Sequence, residues 1–420
     1  MNNNLHSPIL NSMNFLNEVI ERYPDAISFA SGRPCEGLVD ISQWSNYAKS
    51  LYPCDSSSQS NLIGELTQYG ATGGLFNTHI AQYLSTDENI QAIDSDIVIT
   101  NGCQEALSLC VDTLFSPGDV ALISDPTYIG FLGACTIRGI ETEGIDSDNE
   151  GPIIESIEQC VQRCKKKNLR PKAFYLVPDF SNPTGQTISL DRRKAIISKC
   201  LEHGIYVIED TAYRCFVYEG FPIPSLASLD QHGVVIYIGS FSKTICPGLR
   251  IGFITCSKSN GHDNELISQF TKVKSFNTLN TPPINQAIVA GILKDNNYSI
   301  NSFMKEKLLH YKEKRSTLLK SLDDVLYKKK EFKGKISWNQ PEGGFFLILT
   351  LPFKFDIDMA EECAAENGVI CVPISLFSCN KKYKNQIRIS FSYVNCNDIY
   401  EGCVRLAKYI DRQLTIGNKI

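Results

Sequence analysis

Short apolar runs alternate with longer amphipathic stretches through the middle of the chain. Runs rich in β-branched residues predict strands, and apolar residues at helical spacing predict the helices between them. The predicted strands cover residues 97–100, 120–124, 173–177, 205–209, 234–238 and 252–255. The predicted intervening helices include residues 104–114, 153–167 and 191–203. This alternation predicts an α/β fold with a mainly parallel sheet.

The two ends of the chain differ from that alternation. Residues 7–22 predict a helix, 26–30 predict a short strand, and 271–328 are mostly helical. The predicted C-terminal strands and helices lie near 345–349, 358–366, 369–372, 387–391 and 398–414. Because 420 residues exceed what one hydrophobic core usually serves, more than one domain is expected. The expected divisions are an N-terminal arm with part of a small domain (1–56), a large domain (57–300) and a C-terminal small α+β domain (301–420).

Composition narrows the functional class. The chain is 43% hydrophobic and 21% charged, as in ordinary globular enzymes, and its formal net charge is -5. An acidic chain offers no electrostatic footprint for nucleic acid. The apolar runs are shorter than the roughly 18 residues that a membrane span needs, and the first ten residues do not resemble a signal peptide. We therefore expect a cytoplasmic enzyme with no nucleic-acid or membrane partner.

Sixteen cysteines are scattered along the sequence. Cys160 and Cys164 have helical spacing, but the pattern contains no second pair and no histidine at ligand distance, so no metal site is expected. Disulfides are not expected in a reducing compartment. The cysteines are therefore predicted to pack as small apolar side chains.

The segment 238–252 carries the clearest chemical signal. It places Ser240, Ser242 and Lys243 ahead of a Pro-Gly turn and Arg250 after it. A lysine amine becomes nucleophilic near neutral pH when burial and neighbouring cations disfavour its charged form. Hydroxyls and a guanidinium suit phosphate oxygens. The segment therefore predicts a Schiff-base lysine beside a phosphate site.

Other polar motifs follow the predicted strands or lie in turns between them. Taken singly, each is compatible with an ordinary turn, a packed tyrosine or a solvated acid. Ligands of open α/β sheets, however, bind at the carboxyl ends of strands, and free amides at a helix start favour anions. The candidate residues in these motifs are Gly102, Cys103, Gln104, Tyr128, Asn182, Asp210 and Tyr213.

In combination, the motifs resemble those of class I/II pyridoxal-phosphate-dependent aminotransferases of fold type I. The resemblance rests on S-x-S-K followed by G-x-R-x-G, on N-P-T-G at 182–185, on D-x-x-Y at 210–213 and on I-R-x-S-F at 387–391. Seven segments match in family order from Tyr69 to Arg388. Residues 27–34 resemble the subgroup of 2-aminoadipate and kynurenine aminotransferases. The family fold has a large domain around a mainly parallel seven-stranded-type sheet and a smaller α+β domain.

The resemblance implies a cofactor, pyridoxal 5′-phosphate, and a role for each residue around it. Lys243 would form the Schiff base, and Asp210 would pair with the pyridine nitrogen. Tyr128 would stack on the pyridine ring, and Asn182 and Tyr213 would bind its phenolic oxygen. The residues implied for the phosphate are Gly102, Cys103, Gln104, Ser240, Ser242 and Arg250.

The resemblance also implies a substrate site and an oligomer. Arg388 would bind the substrate α-carboxylate through two parallel hydrogen bonds, with Gly32, Arg33 and Asn182 near the substrate. Tyr69, in the segment 68–73, would reach the cofactor phosphate of a neighbouring subunit. The expected assembly is therefore a homodimer with shared active sites.

Two departures leave the substrate open. Arg33 replaces a residue that is usually apolar in the subgroup, and Leu10 stands where the subgroup often has an arginine. Arg33 either points to solvent or meets a polar or acidic substrate side chain. The expected reaction is amino transfer between an L-amino acid and a 2-oxo acid. C–S lysis, decarboxylation or another biosynthetic step on this fold would need the same residues and stays open.

Overall fold

The computed structural model describes residues 3–37, 40–52, 64–256, 265–329 and 332–417. Its strands are β1 (Ile27–Ser28), β2 (Ile97–Asn101), β3 (Asp119–Ser124), β4 (Glu141–Ile145), β5 (Ser147–Asp148), β6 (Gly151–Pro152), β7 (Arg170–Leu176), β8 (Tyr206–Asp210), β9 (Val235–Ser240), β10 (Ile251–Cys256), β11 (Ser337–Trp338), β12 (Phe346–Thr350), β13 (Val369–Ile370), β14 (Val372–Pro373) and β15 (Gln386–Ser390). The α-helices are Pro8–Arg22, Trp44–Ser50, Asn77–Asp87, Cys103–Leu114, Ile129–Ile137, Ile154–Lys166, Leu190–His203, Leu226–Leu229, Glu265–Asn277, Pro283–Asp295, Ile300–Leu322, Ile357–Asn367 and Cys396–Gly417.

A seven-stranded sheet forms the centre of the molecule. Its strand order is β2-β10-β9-β8-β7-β3-β4. Strands β9, β8, β7, β3 and β4 run parallel to one another. Strand β10 runs antiparallel to both of its neighbours, β2 and β9. The expectation of an α/β fold with a mainly parallel seven-stranded sheet is confirmed.

Strand β4 is the member of this sheet that the sequence pattern missed. Its sequence, Glu-Thr-Glu-Gly-Ile, is exposed at the start and buried only at Gly144 and Ile145. The strand lies at the edge of the sheet, where one side of the backbone has no neighbouring strand. An edge strand needs fewer apolar residues than a central one, so this segment lacks the apolar run that marked the other strands.

A second unit contains the four-stranded antiparallel sheet β11-β12-β15-β14. The expected strand at 369–372 is in fact two short strands: β13 pairs with β1, and β14 pairs with β15. The pairing of β1 with β13 brings the N-terminal segment against the C-terminal part of the chain. The domain boundaries near 56 and 300 stay predictions, and the first lies outside the described residues.

The central strands are mostly apolar, since both faces of the sheet are covered. Strands β2, β3 and β8 are almost entirely buried, and β10 is buried throughout. Two predicted site residues lie where these strands end: Asp210 is the last residue of β8, and Ser240 is the last residue of β9. Because the carboxyl ends of parallel strands meet at one edge, the fold itself collects these side chains.

None of the described helices combines the length and the apolar character that crossing a membrane requires. The fifteen cysteines among the described residues are free, and nine of them are buried. The description of the cysteines as packed side chains therefore holds for most of this set. Cys103 is an exception with a polar contact of its own.

Candidate active site

A cavity of about 240 Å³ opens where β8 and β9 end. It is bounded by residues from the large sheet, from the segment after β1, and from β15. The predicted site residues that line it are Gly32, Arg33, Cys103, Gln104, Tyr128, Asn182, Asp210, Tyr213, Ser240, Ser242, Lys243, Arg250 and Arg388. Residues far apart in the sequence are therefore brought to one place.

Lys243 lies in the turn that follows β9. Its Nζ donates a hydrogen bond to the carbonyl oxygen of Gly32 over 3.0 Å. Burial, followed by the positive charge of Arg250, lowers the pKa of Lys243 to about 8, and Arg388 and Arg33 act in the same direction. A lysine with this pKa has a sizeable neutral fraction near pH 7–8, which nucleophilic attack and proton transfer both require.

Asp210 is a buried carboxylate at the end of β8. Its Oδ2 accepts hydrogen bonds from the Tyr175 hydroxyl (2.9 Å) and the Cys103 thiol (3.4 Å), and its Oδ1 accepts one from the Ala212 amide (3.2 Å). Burial raises the pKa of Asp210, and these hydrogen bonds oppose the rise. The sequence analysis missed Tyr175, because a tyrosine within an apolar strand gives no sign of a polar partner.

Arg250, Ser242 and the start of the helix Cys103–Leu114 form a cationic cradle. Arg250 donates from Nη1 to the Ser242 hydroxyl (3.3 Å) and from Nη2 to the Asn101 carbonyl (3.2 Å). Gly102 caps the helix with φ 74°, and a Cβ there would lie 2.3 Å from Arg250 Nη2. Glycine is therefore required both by the left-handed backbone and by the close approach of the guanidinium.

Two hydrogen-bonded pairs line the cavity between these groups. The Gln104 side chain donates to the Gly130 carbonyl (3.0 Å) and accepts from the Tyr128 hydroxyl (3.4 Å), so it holds the Tyr128 ring in place. The Asn182 amide nitrogen lies 3.5 Å from the Tyr213 hydroxyl. Burial raises the pKa of both tyrosines, so both hydroxyls keep their protons at neutral pH; Tyr128 donates its proton to Gln104, and Tyr213, which accepts from Asn182, can still donate.

Arg388 points into the protein rather than to solvent, with 3% of its surface exposed. It donates from Nη1 to Asn182 Oδ1 (2.8 Å) and from Nη2 to the Ala30 carbonyl (2.5 Å), and its buried Nε has no hydrogen-bond partner. The rings of Phe346 and Phe377 lie 4.6 and 4.8 Å from the guanidinium carbon. Burial lowers the pKa of Arg388 to about 10, so it remains a cation, and no carboxylate of the described residues forms an ion pair with it.

These groups fit pyridoxal 5′-phosphate. A phosphate matches the cradle of Arg250, two serine hydroxyls and a helix start. A basic ring nitrogen matches the buried carboxylate of Asp210, and an aldehyde matches the amine of Lys243. The unpaired Nε of Arg388 indicates that a further anionic group belongs in the cavity.

Two predicted residues lie outside the lining of this cavity. Gly102 lies behind Arg250, as described above. Tyr69 is 82% exposed within the single chain and is not among the lining residues. Conversely, Met13 and Ile20 of the first helix line the cavity, and the sequence analysis named neither of them.

A cluster of possible metal ligands exists elsewhere, at Glu158, Glu202 and His203. The amine of Lys199 lies 3.5 Å from Glu158 and 2.7 Å from Glu202. This lysine already supplies positive charge to the two carboxylates. The cluster is an ion-pair network beside the helix Leu190–His203, apart from the cavity.

Comparisons with known proteins agree with this geometry. The sequence model of the family "Aminotransferase class I and II" matches residues 27–406. The (S)-3,5-dihydroxyphenylglycine transaminase of Amycolatopsis orientalis is 35% identical over 99% of this chain and 94% of its own length. The 2-aminoadipate transaminase of Thermus thermophilus is 28% identical over 94% and 92%.

The solved structure of the kynurenine aminotransferase of Pyrococcus horikoshii superimposes with a TM-score of 0.84 and 30% identity, covering 95% of this chain and 94% of that one. That structure contains PMP. The expected resemblance to the 2-aminoadipate and kynurenine subgroup is confirmed. The chain belongs to the class I and II aminotransferase family.

Proposed function

We propose that this aminotransferase holds pyridoxal 5′-phosphate in the cavity around Lys243 and takes an aromatic or large apolar L-amino acid as amino donor. The observation that carries the cofactor assignment is the convergence of Lys243, Asp210 and Arg250 on one cavity. Arg250, Ser240, Ser242 and the helix start would hold the phosphate, and Asp210 would hold the ring nitrogen.

When bound, pyridoxal phosphate supplies an electron sink that weakens the α-C–H bond of the attached amino acid. Lys243 Nζ would take the α-proton and return it, because its lowered pKa allows a neutral amine at neutral pH. Arg388 would hold the α-carboxylate with donors that its two present hydrogen bonds do not use. Tyr213 and Asn182 would hold the phenolic oxygen of the cofactor.

The donor side chain is inferred from the apolar wall of the cavity. Met13, Ile20 and Ile129 line it, and Phe377 lies beside Arg388. Such a wall favours an apolar or aromatic side chain, since burying an aromatic ring contributes on the order of 1.5–3 kcal/mol. By their names, the relatives from Amycolatopsis and Pyrococcus act on dihydroxyphenylglycine and kynurenine, which supports this proposal.

A panel of amino acids with 2-oxoglutarate or pyruvate tests the proposed reaction. Phenylalanine, tyrosine and kynurenine are expected to give kcat/KM values at least about tenfold above that of alanine, because burying their aromatic rings contributes the free energy given above. The products should be one 2-oxo acid and one new amino acid per turnover, measured by chromatography. Release of ammonia or carbon dioxide without a new amino acid would instead assign C–S lysis, another elimination or decarboxylation.

The proposed assembly is a homodimer with shared active sites, and the proposed location is the cytoplasm. Tyr69 supports the dimer, because its ring is exposed in the single chain and its segment resembles the one that reaches a neighbouring cofactor. A dimer is expected in analytical ultracentrifugation. Tyr69→Ala should weaken cofactor binding by about 10–100-fold, as expected for one lost hydrogen bond to a charged group.

Mixed dimers of Tyr69→Ala and Lys243→Ala test whether Tyr69 acts across the interface. A hybrid dimer would contain one site with both substitutions and one site with neither. Activity at limiting cofactor should therefore rise when the two variants are unfolded and refolded together. If Tyr69 acts within its own chain, each hybrid site carries one substitution and activity stays at the level of the separate variants.

A further inference from the structure

A second cavity of about 280 Å³ lies beside the active site, and we refer to it as the side chamber. Its walls are the segment Arg33 to Gly37, the turn after Lys243, Tyr393, and one face of the helix Ile300–Leu322. Arg33 and Lys243 line both cavities. A substrate whose reacting carbon lies at Lys243 can therefore extend into the side chamber.

The helix contributes Met304, Lys307 and Tyr311 to the side chamber. Their spacing places them on one face of the helix. Met304 and Tyr311 are buried, and the Tyr311 hydroxyl accepts a hydrogen bond from the Cys35 amide over 3.1 Å. This hydrogen bond ties the helix to the segment that forms the opposite wall, and on that segment Arg33, Glu36 and Gly37 are exposed in the single chain.

Two cations line the side chamber without an acidic partner. Among the described residues, no carboxylate lies within ion-pair distance of Lys307 or Arg33. The Lys307 amine lies over the Phe303 ring, 3.5 Å from its centre. Burial lowers the pKa of Lys307 to about 8, with no carboxylate to offset the cost of the charge. Such a partly buried amine gains most from an anionic ligand.

The other polar groups of the chamber include one acid and one hydroxyl without a hydrogen-bond partner. Glu36 is the one acid among its described lining residues, and its carboxylate accepts a hydrogen bond from the Tyr393 hydroxyl over 2.7 Å. Thr244 is 6% exposed, and its buried hydroxyl has no hydrogen-bond partner. The chamber thus offers two unpaired cations and one unsatisfied hydroxyl, which is a donor set for a carboxylate.

We propose that the side chamber binds the distal carboxylate of a dicarboxylic substrate, with Arg33 and Lys307 as its specificity-determining cations. This proposal rests on the proposed function, since Lys243 must mark the reacting carbon. The acceptor is then a dicarboxylic 2-oxo acid, whose second carboxylate lies in the chamber, whereas the apolar wall near Met13 and Ile20 receives the side chain of the donor. The two half-reactions thereby use different parts of one site.

Steady-state kinetics with two acceptors test the proposal in the holoenzyme. Lys307→Met is expected to raise KM for 2-oxoglutarate by about tenfold or more, the effect of one lost charge-assisted hydrogen bond, and to change KM for pyruvate by less than about twofold. Arg33 also lines the active-site cavity, so Arg33→Leu can change both KM values, and the expected result is a larger increase in KM for 2-oxoglutarate than for pyruvate. Lys305→Met is the matched control, because Lys305 is exposed on the same helix outside the chamber, and it should leave both KM values unchanged.

A binding measurement without turnover separates this proposal from the proposed function. Glutarate and pentanoate have the same chain length and differ by one carboxylate, and calorimetry on the holoenzyme measures their affinities. Wild type should bind glutarate at least about tenfold more tightly, and Lys307→Met should lose that preference. Equal affinities in wild type, or equal KM increases for both acceptors, would overturn the proposal. A retained glutarate preference without amino transfer to any acceptor would overturn the proposed function alone.

Discussion

Replacing Lys243 by alanine is expected to lower turnover by a factor on the order of 10⁴ or more, because the residue is both the proposed nucleophile and the group that moves the α-proton. The absorbance band of the covalently linked cofactor should disappear. Cofactor should still bind through Arg250, Ser240 and Ser242, which equilibrium dialysis measures. Turnover within tenfold of wild type would contradict the assignment of Lys243.

Lys243 is also expected to lower the stability of the cofactor-free protein. Its folded pKa of about 8 lies below its ordinary value of 10.5, so folding disfavours its charged form. The resulting penalty lowers the free energy of unfolding by its full amount below pH 8. It decreases between pH 8 and 10.5 and vanishes above pH 10.5. Because Lys243 as a whole residue is only half-buried, we expect the penalty to be about 1–3 kcal/mol rather than the larger value of the full shift.

Lys243→Met keeps most of the aliphatic chain and removes the charge, so it isolates this penalty. The cofactor-free variant is expected to be more stable than wild type at pH 7, and the difference should narrow at pH 9.5. Urea unfolding at the two pH values measures the change. A variant that is less stable at pH 7, or a stability difference independent of pH, would show that burial of charged Lys243 does not destabilise the folded protein.

Asp210→Asn should slow removal of the substrate α-proton by a factor of about 10³ or more while cofactor remains bound. The carboxylate favours a protonated ring nitrogen, and an amide in its place cannot. The Tyr175 hydroxyl can still donate to the amide oxygen, so the local packing should be preserved. Exchange of an α-deuterium label with solvent measures the proton step directly.

Glu209 provides a matched control on the preceding position of β8. Its carboxylate is also buried, but it accepts hydrogen bonds from the amides of Leu226 (2.7 Å) and Ala227 (2.8 Å), away from the cavity. Glu209→Gln should cost stability and leave α-proton exchange per cofactor-loaded site within about threefold of wild type. A rate for Asp210→Asn similar to that of Glu209→Gln would show that another group holds the ring nitrogen.

Much of the active site could be predicted from local motifs. The short apolar runs marked the central strands, since strands buried on both faces need apolar side chains throughout. The polar residues that directly follow those runs, such as Asp210 after β8 and Ser240 at the end of β9, then had to lie at one edge of the sheet. The motif around Lys243 could be interpreted because lysine, serine and arginine at that spacing suit an imine and a phosphate.

The contacts between distant residues could not be predicted in this way. Tyr175 looks like a packed strand residue, yet its hydroxyl binds Asp210. The resemblance implies Cys103 only as a phosphate contact, yet its thiol donates to the same carboxylate. The local pattern around Arg388 does not say which way its side chain points, whereas the pairing of β12 with β15 together with two flanking rings directs it inward. Each of these outcomes depends on which elements pack together, which no local window contains.

The sequence by itself determined the class of fold and the family, and it is the source of the proposal that Lys243 is the reactive lysine, because apolar periodicity and motif spacing are local properties of the chain. Only the tertiary structure decided where Arg33 and Lys307 lie relative to Lys243. These residues come from three distant parts of the chain, and they share one chamber because the helix Ile300–Leu322 lies against the segment Arg33 to Gly37, where the Cys35 amide donates to Tyr311. Whether a charged side chain lacks a partner depends on all of its neighbours in the folded protein, so the sequence alone does not show it.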